Sequence, residues 1–449
     1  MPYIPHDAEE TAAMLSALGL GDLEELFSEI PAELQASTLD LPTGLNEAQL
    51  RRQWEASARQ QPDLLCFAGG GAYAHHIPAI VWEIAARGEF YSAYTPYQAE
   101  ASQGTLQLLY EFQSFLTRLT AMEVSNASLY DGASSLVEAC LMALRLRPGT
   151  SEILVSEGLW PHWQKVLTSL LSLQGITLRM LPLDPETGYT RLPSGDFSAA
   201  AALIIPQVNR YGLLEDVDQQ SRWAEAQGLL QIAVVQPLAL TLLRPPGEWG
   251  NGGVDIAIGE GQALGVPLSA GGPYLGFLTT RKTHIRQLPG RLVAKTVDSQ
   301  GQTAYCLTLQ AREQHIRRAT ATSNICTNQG LLVTAACIYM AVLGAKGLRE
   351  AAARSHQRAV ALRRRIQELP GVRVPFAGAI FQEFRVELPV SAVAFRDYAL
   401  GRGILAGIPE QELDPNADPR SLLVACTELL EETDLAQYLQ TLREFLQES

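Results

Sequence analysis

Residues 201–236 read AALIIPQVNRYGLLEDVDQQSRWAEAQGLLQIAVVQ. Two short apolar runs, Ala201–Ile205 and Leu229–Val235, flank the more polar segment Asp218–Gln227, which we interpret as a helix. Apolar runs of this length that are bounded by turn residues are typical of buried strands. The stretch therefore predicts a strand, a covering helix and a second strand parallel to the first.

The same alternation continues on both sides of this unit. Further strands are expected at Ala127–Tyr130, Glu152–Ser156, Thr177–Leu181, Val254–Ile258 and Tyr274–Thr280. Helices are expected at Leu106–Met122, Ser135–Leu146 and Trp163–Leu173. Strands separated by helices of this length indicate an α/β fold, with a mainly parallel sheet that is covered by helices on both faces.

Three parts are expected along the chain. Residues 1–63 carry amphipathic helical patterns without strands, which predicts a helical arm, and residues 64–329 form the large α/β domain. Residues 330–449 are expected to hold two linking helices and then a small α+β domain. Its predicted elements are Gly330–Leu343, Gly347–Leu369, Val372–Val374, Ile380–Leu388, Ala392–Gly401, Leu422–Thr427 and Asp434–Leu446.

Composition narrows the class of protein. Of the 449 residues, 47% are hydrophobic and 18% are charged, which is the profile of a compact globular chain. The net charge of −14 argues against nucleic acid as a partner. The apolar run Leu331–Ala345 is shorter than the roughly 20 residues that cross a bilayer, so no membrane span is expected. Met1–His6 has neither the basic region nor the apolar region of a secretory signal, so none is expected. Six scattered cysteines without metal-ligand spacing fit a reduced, cytoplasmic protein that holds no metal.

The turn Tyr130–Glu138 is the sharpest local motif. It follows a predicted strand and opens a helix, and Ser135 and Glu138 have the spacing of a capping box. Free amides at a helix start favour an anion such as phosphate, and the residues that would cradle it are Gly132, Ala133, Ser134 and Ser135. An ordinary helix start explains the same pattern equally well.

Other motifs are weaker. His75 and His76 are adjacent and lack accompanying carboxylates, so structural positions are favoured over metal or acid–base roles. The basic run Arg312–Arg318 is interpreted either as a solvated helix face or as a recognition patch for an anionic partner. Cys326 fits a small core position better than a reactive thiol. Gly259, Gly261 and Gly265 lack the spacing of a dinucleotide fingerprint, which leaves a nicotinamide-dependent dehydrogenase as a weak alternative.

Several long strings carry a family resemblance across nearly the whole chain. The chain resembles the α subunit of the two-subunit bacterial glycine decarboxylase, the P-protein of the glycine cleavage system. The strings are MPYIPH (1–6), GAYAHHIPAI (71–80), YTPYQAEASQG (94–104), YDGAS (130–134), LLRPPGE (242–248), GVPLSAGGPYLGF (265–277) and LQAREQHIRRATATSNICTNQ (309–329).

The resemblance implies the fold type I architecture of pyridoxal phosphate (PLP) enzymes, with a seven-stranded sheet. Laid against the family's catalytic β subunit, the Schiff-base lysine position falls on Gln262 and the pyridinium aspartate position on Gln236. An amide cannot form an aldimine, and a neutral side chain cannot stabilise a protonated pyridinium. Trp160 replaces an expected histidine before Pro161. The resemblance thus implies that this chain binds no cofactor and has no catalytic residue when it is alone.

By the same resemblance, PLP belongs to a partner β subunit in a heterotetramer of two α and two β chains. The complex would decarboxylate glycine and pass the aminomethyl group to the lipoyl arm of the H-protein. This chain would complete the β active site and support assembly, and the candidate residues are His75, His76, Tyr94, Tyr97, Gln98, Arg317, Arg318 and Asn324. The alternative is a self-sufficient PLP-dependent decarboxylase or aminotransferase that uses Lys282 or Lys295.

Overall fold

A computed structural model describes residues 6–35, 40–92, 94–269 and 271–448. The first five residues of the MPYIPH string lie outside the described residues. The chain forms two compact units, Met1–Pro62 and Asp63–Ser449. The predicted boundary between residues 329 and 330 stays a prediction.

The first unit is helical. Its α-helices, α1 (Ala8–Leu18) and α2 (Glu47–Arg59), each begin at a capping box, in which Asp7 pairs with Glu10 and Asn46 with Gln49. Gly19, with a φ of 74°, ends α1. None of the described residues of this unit is buried.

A seven-stranded sheet organises the described part of the second unit. Five neighbouring strands are parallel, and the two at one edge are antiparallel to their neighbours. This topology confirms the predicted α/β sheet. In spatial order the strands are Val124–Ser125, Gly276–Thr280, Ile256–Glu260, Leu230–Val235, Ala200–Gln207, Glu152–Ser156 and Thr177–Leu181.

Helices cover both faces of the sheet because successive strand residues point to opposite sides. Leu203 and Ile205 join one hydrophobic core, whereas Ala202 and Ile204 join the other. The helices of this region are Ala79–Ala85, Gly88–Tyr91, Gln103–Thr120, Gly132–Leu146, Pro161–Leu171, Val217–Ala226 and Gln314–Arg317.

Two sequence predictions need correction here. The strand predicted at Ala127–Tyr130 lies earlier, at Val124–Ser125, and Leu129 makes only one isolated bridge. Ser128 has a φ of 152°, and the Asn126 side chain accepts a hydrogen bond from the Leu278 amide, so the ladder stops. A hairpin formed by Val293–Val297 and Thr303–Leu307 was not predicted, since its mixed polar residues lack a strand pattern.

The helix Gly330–Gln367 leads out of the large sheet. Gly344, with a φ of 60°, kinks it at the point where the sequence predicts a break between two linking helices. By length and composition this helix is a candidate membrane span. Its residues Leu332, Val333 and Tyr339 are buried in the hydrophobic core, so the helix is explained by packing within this unit.

The C-terminal region is a small α+β arrangement, as predicted. Its three-stranded antiparallel sheet contains Glu383–Glu387, Ser421–Ala425 and Ile408–Pro409, and Ile404–Leu405 pairs with Leu65–Cys66. The strand predicted at Val372–Val374 is wrong, because only Arg373 bridges to Glu387. The helices are Ala392–Leu400, Glu410–Leu413 and Glu432–Glu448.

Candidate functional site

The carboxyl ends of three central strands, Ala200–Gln207, Leu230–Val235 and Ile256–Glu260, meet at one edge of the sheet. Ligands of open parallel sheets bind in the crevice at this edge. The cavity here has a volume of about 40 Å³, which is room for a few water molecules. Its polar walls come from Gln207, Asn209, Gln236, Glu260 and the indole of Trp160.

Gln236 lies directly after its strand on the cavity wall, where the resemblance places the pyridinium acid. Its Nε2 atom is buried and has no hydrogen-bond partner among the described residues. An amide at this position supplies a neutral donor instead of the negative charge that a pyridinium nitrogen requires.

Gln262 is turned away from the cavity and is only 2% exposed. Its Nε2 donates to the carbonyls of Tyr73 (3.0 Å) and Val266 (2.8 Å), while its Oε1 accepts from the Tyr73 amide (2.9 Å). All three contacts are with backbone groups. Gln262, at the position that the resemblance assigns to the Schiff-base lysine, therefore holds the loop that carries Tyr73 in place.

The same loop is held from the other side by Glu383. The Glu383 carboxylate accepts hydrogen bonds from the Gly70 amide (2.8 Å) and the Tyr73 hydroxyl (2.9 Å). Burial raises the pKa of Glu383 to about 7, although both hydrogen bonds act to lower it. Complete burial and the nearby carboxylate raise the pKa of Tyr73 well above its ordinary value.

The predicted anion turn begins a helix, but its cap differs from the prediction. The helix starts at Gly132, and the Asp131 side chain accepts from the Ser134 amide (2.7 Å). Ser135 Oγ donates to the Asp131 carbonyl (2.7 Å), so Ser135 and Glu138 do not form the expected capping box. Asp131 caps the helix instead, because it directly precedes the first helical residue.

Glu260 occupies the place where this helix start would receive an external anion. Its carboxylate accepts hydrogen bonds from the backbone amides of Gly132 (2.9 Å), Leu275 (2.9 Å) and Gln262 (3.0 Å). The Trp163 ring covers the turn, since a Cβ atom built on Gly132 would lie 2.3 Å from it. Burial raises the pKa of Glu260 to about 7, the backbone bonds oppose that shift, and Asp131 adds to it.

These residues do not fit a PLP molecule. The position of the amine holds an amide that is fully engaged, and the helix start that would cradle a phosphate already binds Glu260. Neither alternative lysine lines the cavity. Lys282 follows the antiparallel strand Gly276–Thr280 and so lies at the opposite edge of the sheet, and exposed Lys295 belongs to the hairpin.

The histidine pair is anchored by one carboxylate. His75 Nδ1 lies 2.7 Å from Glu428 Oε2, and the His76 amide donates to Glu428 Oε1 (2.7 Å). Ser355 Oγ donates to the same carboxylate (3.1 Å). Burial opposes ionisation of Glu428, but the contacts with His75 and His76 hold its pKa below the ordinary value. His75 is buried and His76 is exposed.

The remaining candidates lie at the surface. Tyr94 is 76% and Tyr97 is 55% exposed, and Gln98, Arg317, Arg318 and Asn324 are exposed as well. The structure brings Tyr97 to the 315–329 segment, because its ring lies 6.0 Å from the His315 ring and its hydroxyl accepts from Arg291 (3.2 Å). We call residues 94–98 and 315–328, which carry these exposed side chains, the loop surface.

Two residues of the basic and cysteine motifs are placed differently from the expectations. Arg312 is half-buried and donates to the carbonyls of Leu288 and Gly290 (3.0 Å for the latter), so it is a structural residue. Cys326 is exposed and does not occupy the small core position that was favoured.

Sequence reasoning missed Glu260, Trp163 and Arg291 as site residues. An acid between two glycines directly after a strand was a signal for Glu260. Among the described residues, no group of three or more histidines, cysteines or acids is arranged to hold a metal.

The chain matches known proteins over its full length. Residues 1–442 match the family model of the glycine cleavage system P-protein. A probable glycine dehydrogenase (decarboxylating) subunit 1 of Nitrosomonas europaea is 49% identical, with 99% of each chain covered. The protein of the same description from Coxiella burnetii is 50% identical, also over 99% of each chain.

Solved structures agree. A glycine decarboxylase (P-protein) of the glycine cleavage system, crystallised in inhibitor-bound form, is 42% identical with a TM-score of 0.90, covering 99% of this chain and 100% of that one. A glutamate decarboxylase of Lactobacillus brevis, at 13% identity and a TM-score of 0.66, covers 93% of this chain and 96% of that one and shares the fold alone. The architecture is therefore that of fold type I PLP enzymes, and the chain belongs to the glycine cleavage system P-protein family.

Proposed function

We propose that this chain is the α subunit of a two-subunit glycine decarboxylase and that it holds no PLP of its own. The complex would remove CO2 from glycine and transfer the aminomethyl group to the lipoyl arm of the H-protein. The observation that carries the proposal is the pair Gln262 and Glu260. One is an amide bound to three backbone groups, and the other fills the anion position with the chain's own carboxylate.

The partner would be a β subunit that retains the Schiff-base lysine and binds PLP, in a heterotetramer of two α and two β chains in the cytoplasm. In this arrangement the α chain contributes surface rather than chemistry. The loop surface supports this role, because it presents the exposed aromatic side chains of Tyr94 and Tyr97, the basic ones of Arg317 and Arg318, and the amides of Gln98 and Asn324. Aromatic and arginine side chains are enriched at protein interfaces.

His75 and His76 remain candidates in this proposal, with different parts. Buried His75 fixes the loop to Glu428, and exposed His76 is the one that a partner can reach. The reading as a self-sufficient PLP enzyme is not favoured, because neither Lys282 nor Lys295 lines the cavity between the strand ends.

The test is an exchange assay that follows labelled CO2 into the carboxyl carbon of glycine. The α chain, a neighbouring β-type chain and their mixture are each assayed with PLP and lipoylated H-protein. We expect exchange only in the mixture, together with a size that fits two copies of each chain. Exchange by the α chain alone would contradict the proposal, as would full activity of β without α.

A further inference from the structure

Arg291 lies beneath the loop surface and is only 5% exposed. Its backbone is fixed to the large sheet region, because its carbonyl accepts a hydrogen bond from the Ala127 amide (2.8 Å). Its side chain reaches from this rigid base to two exposed parts of the loop surface. It is therefore placed to control how those parts are held.

The guanidinium contacts both parts at once. One terminal nitrogen donates to the Tyr97 hydroxyl (3.2 Å) and to the Cys326 carbonyl (2.7 Å), and the other donates to Asn328 Oδ1 (3.3 Å). The charge also lies 5.4 Å from the centre of the Tyr97 ring, within the range of a cation–π contact. The planar guanidinium thus joins Tyr97 to Cys326 and Asn328, which are more than 200 positions further along the chain, through a fixed fork of donors.

No carboxylate of the described residues compensates the charge of Arg291. None of the ion pairs among the described residues includes Arg291, and its Nε atom is buried without a hydrogen-bond partner. A buried charge without an ionic partner is costly, and carbonyl, amide and aromatic contacts offset only part of that cost. A methionine would fill the same space without this penalty, so packing alone does not account for an arginine here.

We propose that Arg291 is a positioning residue that couples Tyr97 and residues 326–328 into one rigid surface for the partner subunit. This inference rests on the proposed function. It goes beyond the proposed function because it states that one buried side chain, that of Arg291, keeps the loop surface ordered. The loop contacts then form before the partner binds, which lowers the ordering cost of association.

The coupling itself is tested on the full α chain without any partner. Hydrogen exchange is followed by mass spectrometry in peptides covering 94–98 and 324–330, in the wild type, Arg291→Met and Arg291→Lys. In Arg291→Met we expect exchange to rise by about tenfold in both peptides together. Lysine keeps the charge and part of the contacts, so hydrogen exchange in Arg291→Lys is expected to lie between that of the wild type and that of Arg291→Met.

Arg363→Met is the matched control. This arginine also donates to two carbonyls, those of Phe376 and Gly378, but it belongs to the C-terminal region. We expect it to leave exchange at 94–98 and 324–330 unchanged. A rise confined to one of the two peptides, or an equal rise in Arg363→Met, would overturn the coupling.

The consequence for function is tested in the α–β complex with a double-mutant cycle between Arg291→Met and Tyr97→Phe. If Arg291 acts through Tyr97, the glycine exchange rate of the double variant should equal that of Arg291→Met, with non-additive losses. Losses that simply add would overturn this role. If the wild-type α chain failed to activate β at all, the proposed function would be wrong. The hydrogen-exchange measurement on the α chain alone would still decide whether Arg291 couples the two peptides.

Discussion

At the scale of single residues, the site is defined by what Glu260 and Gln262 already bind. Glu260 satisfies the first amide of the helix at Gly132, which is the group that otherwise attracts a phosphate. Both the Nε2 and the Oε1 atoms of Gln262 are hydrogen-bonded to backbone groups of Tyr73 and Val266. Internal hydrogen bonds thus occupy the turn predicted to bind a phosphate and the position that the resemblance assigns to the Schiff-base lysine.

Gln262→Lys is therefore not expected to restore a cofactor site. The lysine side chain has no acceptor for the Tyr73 amide, and Gln236, Glu260 and Trp163 would still oppose the binding of PLP. Titration of the variant with PLP, followed by borohydride reduction and mass measurement, should give no label on residue 262. A reduced adduct at that residue would contradict this account of the site.

Stability depends on pH through two buried carboxyl groups, Glu383 and Glu260, and substitution isolates the contribution of Glu260. Its pKa of about 7 in the folded chain exceeds the value of roughly 4.3 expected for an unfolded chain. The folded state therefore binds more protons, so the stability that this group contributes is full below pH 4 and is lost as the pH rises through 7. The size of this effect is on the order of 3 kcal/mol.

Glu260→Gln should flatten this loss of stability between pH 5 and pH 8. The amide keeps one acceptor oxygen and carries no charge to bury. Urea unfolding at several pH values checks this, with the exposed residue Glu100 changed to Gln as the control. An unchanged slope in Glu260→Gln would show that its titration does not control stability in this range.

At the scale of elements, the sheet was accessible to sequence reasoning because its central strands are buried on both faces. Continuous apolar runs such as Ala200–Gln207 leave little choice of structure. The errors fall where local geometry overrides pattern. Ser128 and Asn126 end a strand that its apolar residues favour, and the hairpin at 293–307 alternates too weakly to be recognised.

The candidate site was predictable only in its chemistry. The resemblance located Gln262 and Gln236, and the nature of an amide excluded both roles. The hydrogen bond from Gly132 to Glu260 spans 128 positions, and Trp163 covers a glycine 31 positions before it, so no local pattern encodes either contact.

Gly132→Ala tests the packing at the start of its helix. The added methyl would meet the ring of Trp163, which lies in the Pro161–Leu171 helix. We expect a destabilisation of roughly 1–3 kcal/mol in chemical unfolding. Gly104→Ala, in the Gln103–Thr120 helix, meets no atom within 4 Å and should be neutral or slightly stabilising. Equal effects of the two changes would contradict the packing argument.

At the scale of the whole molecule, an acidic chain carries a local basic surface. The net charge is −14, yet Arg317 and Arg318 are exposed on the loop surface and, among the described residues, form no ion pair there. Complementary charge on a partner would steer association to this surface.

Reversing both charges, with Arg317→Glu and Arg318→Glu, should weaken binding to the β chain by about tenfold, mainly through slower association at low salt. Surface plasmon resonance at two ionic strengths measures this. Arg118→Glu, on an exposed helix position, is the control for net charge. If the variant that carries Arg317→Glu and Arg318→Glu binds the β chain and the H-protein as the wild type does, the surface has no electrostatic role.

The central claim is that the cofactor of the complex is not attached to this chain. The α–β complex is loaded with PLP, reduced with borohydride, and digested for mass spectrometry of both polypeptides. We expect a pyridoxyl label on one lysine of the β chain and none on Lys165, Lys282, Lys295 or Lys346 of this chain. A stoichiometric label on any of these four lysines would contradict it.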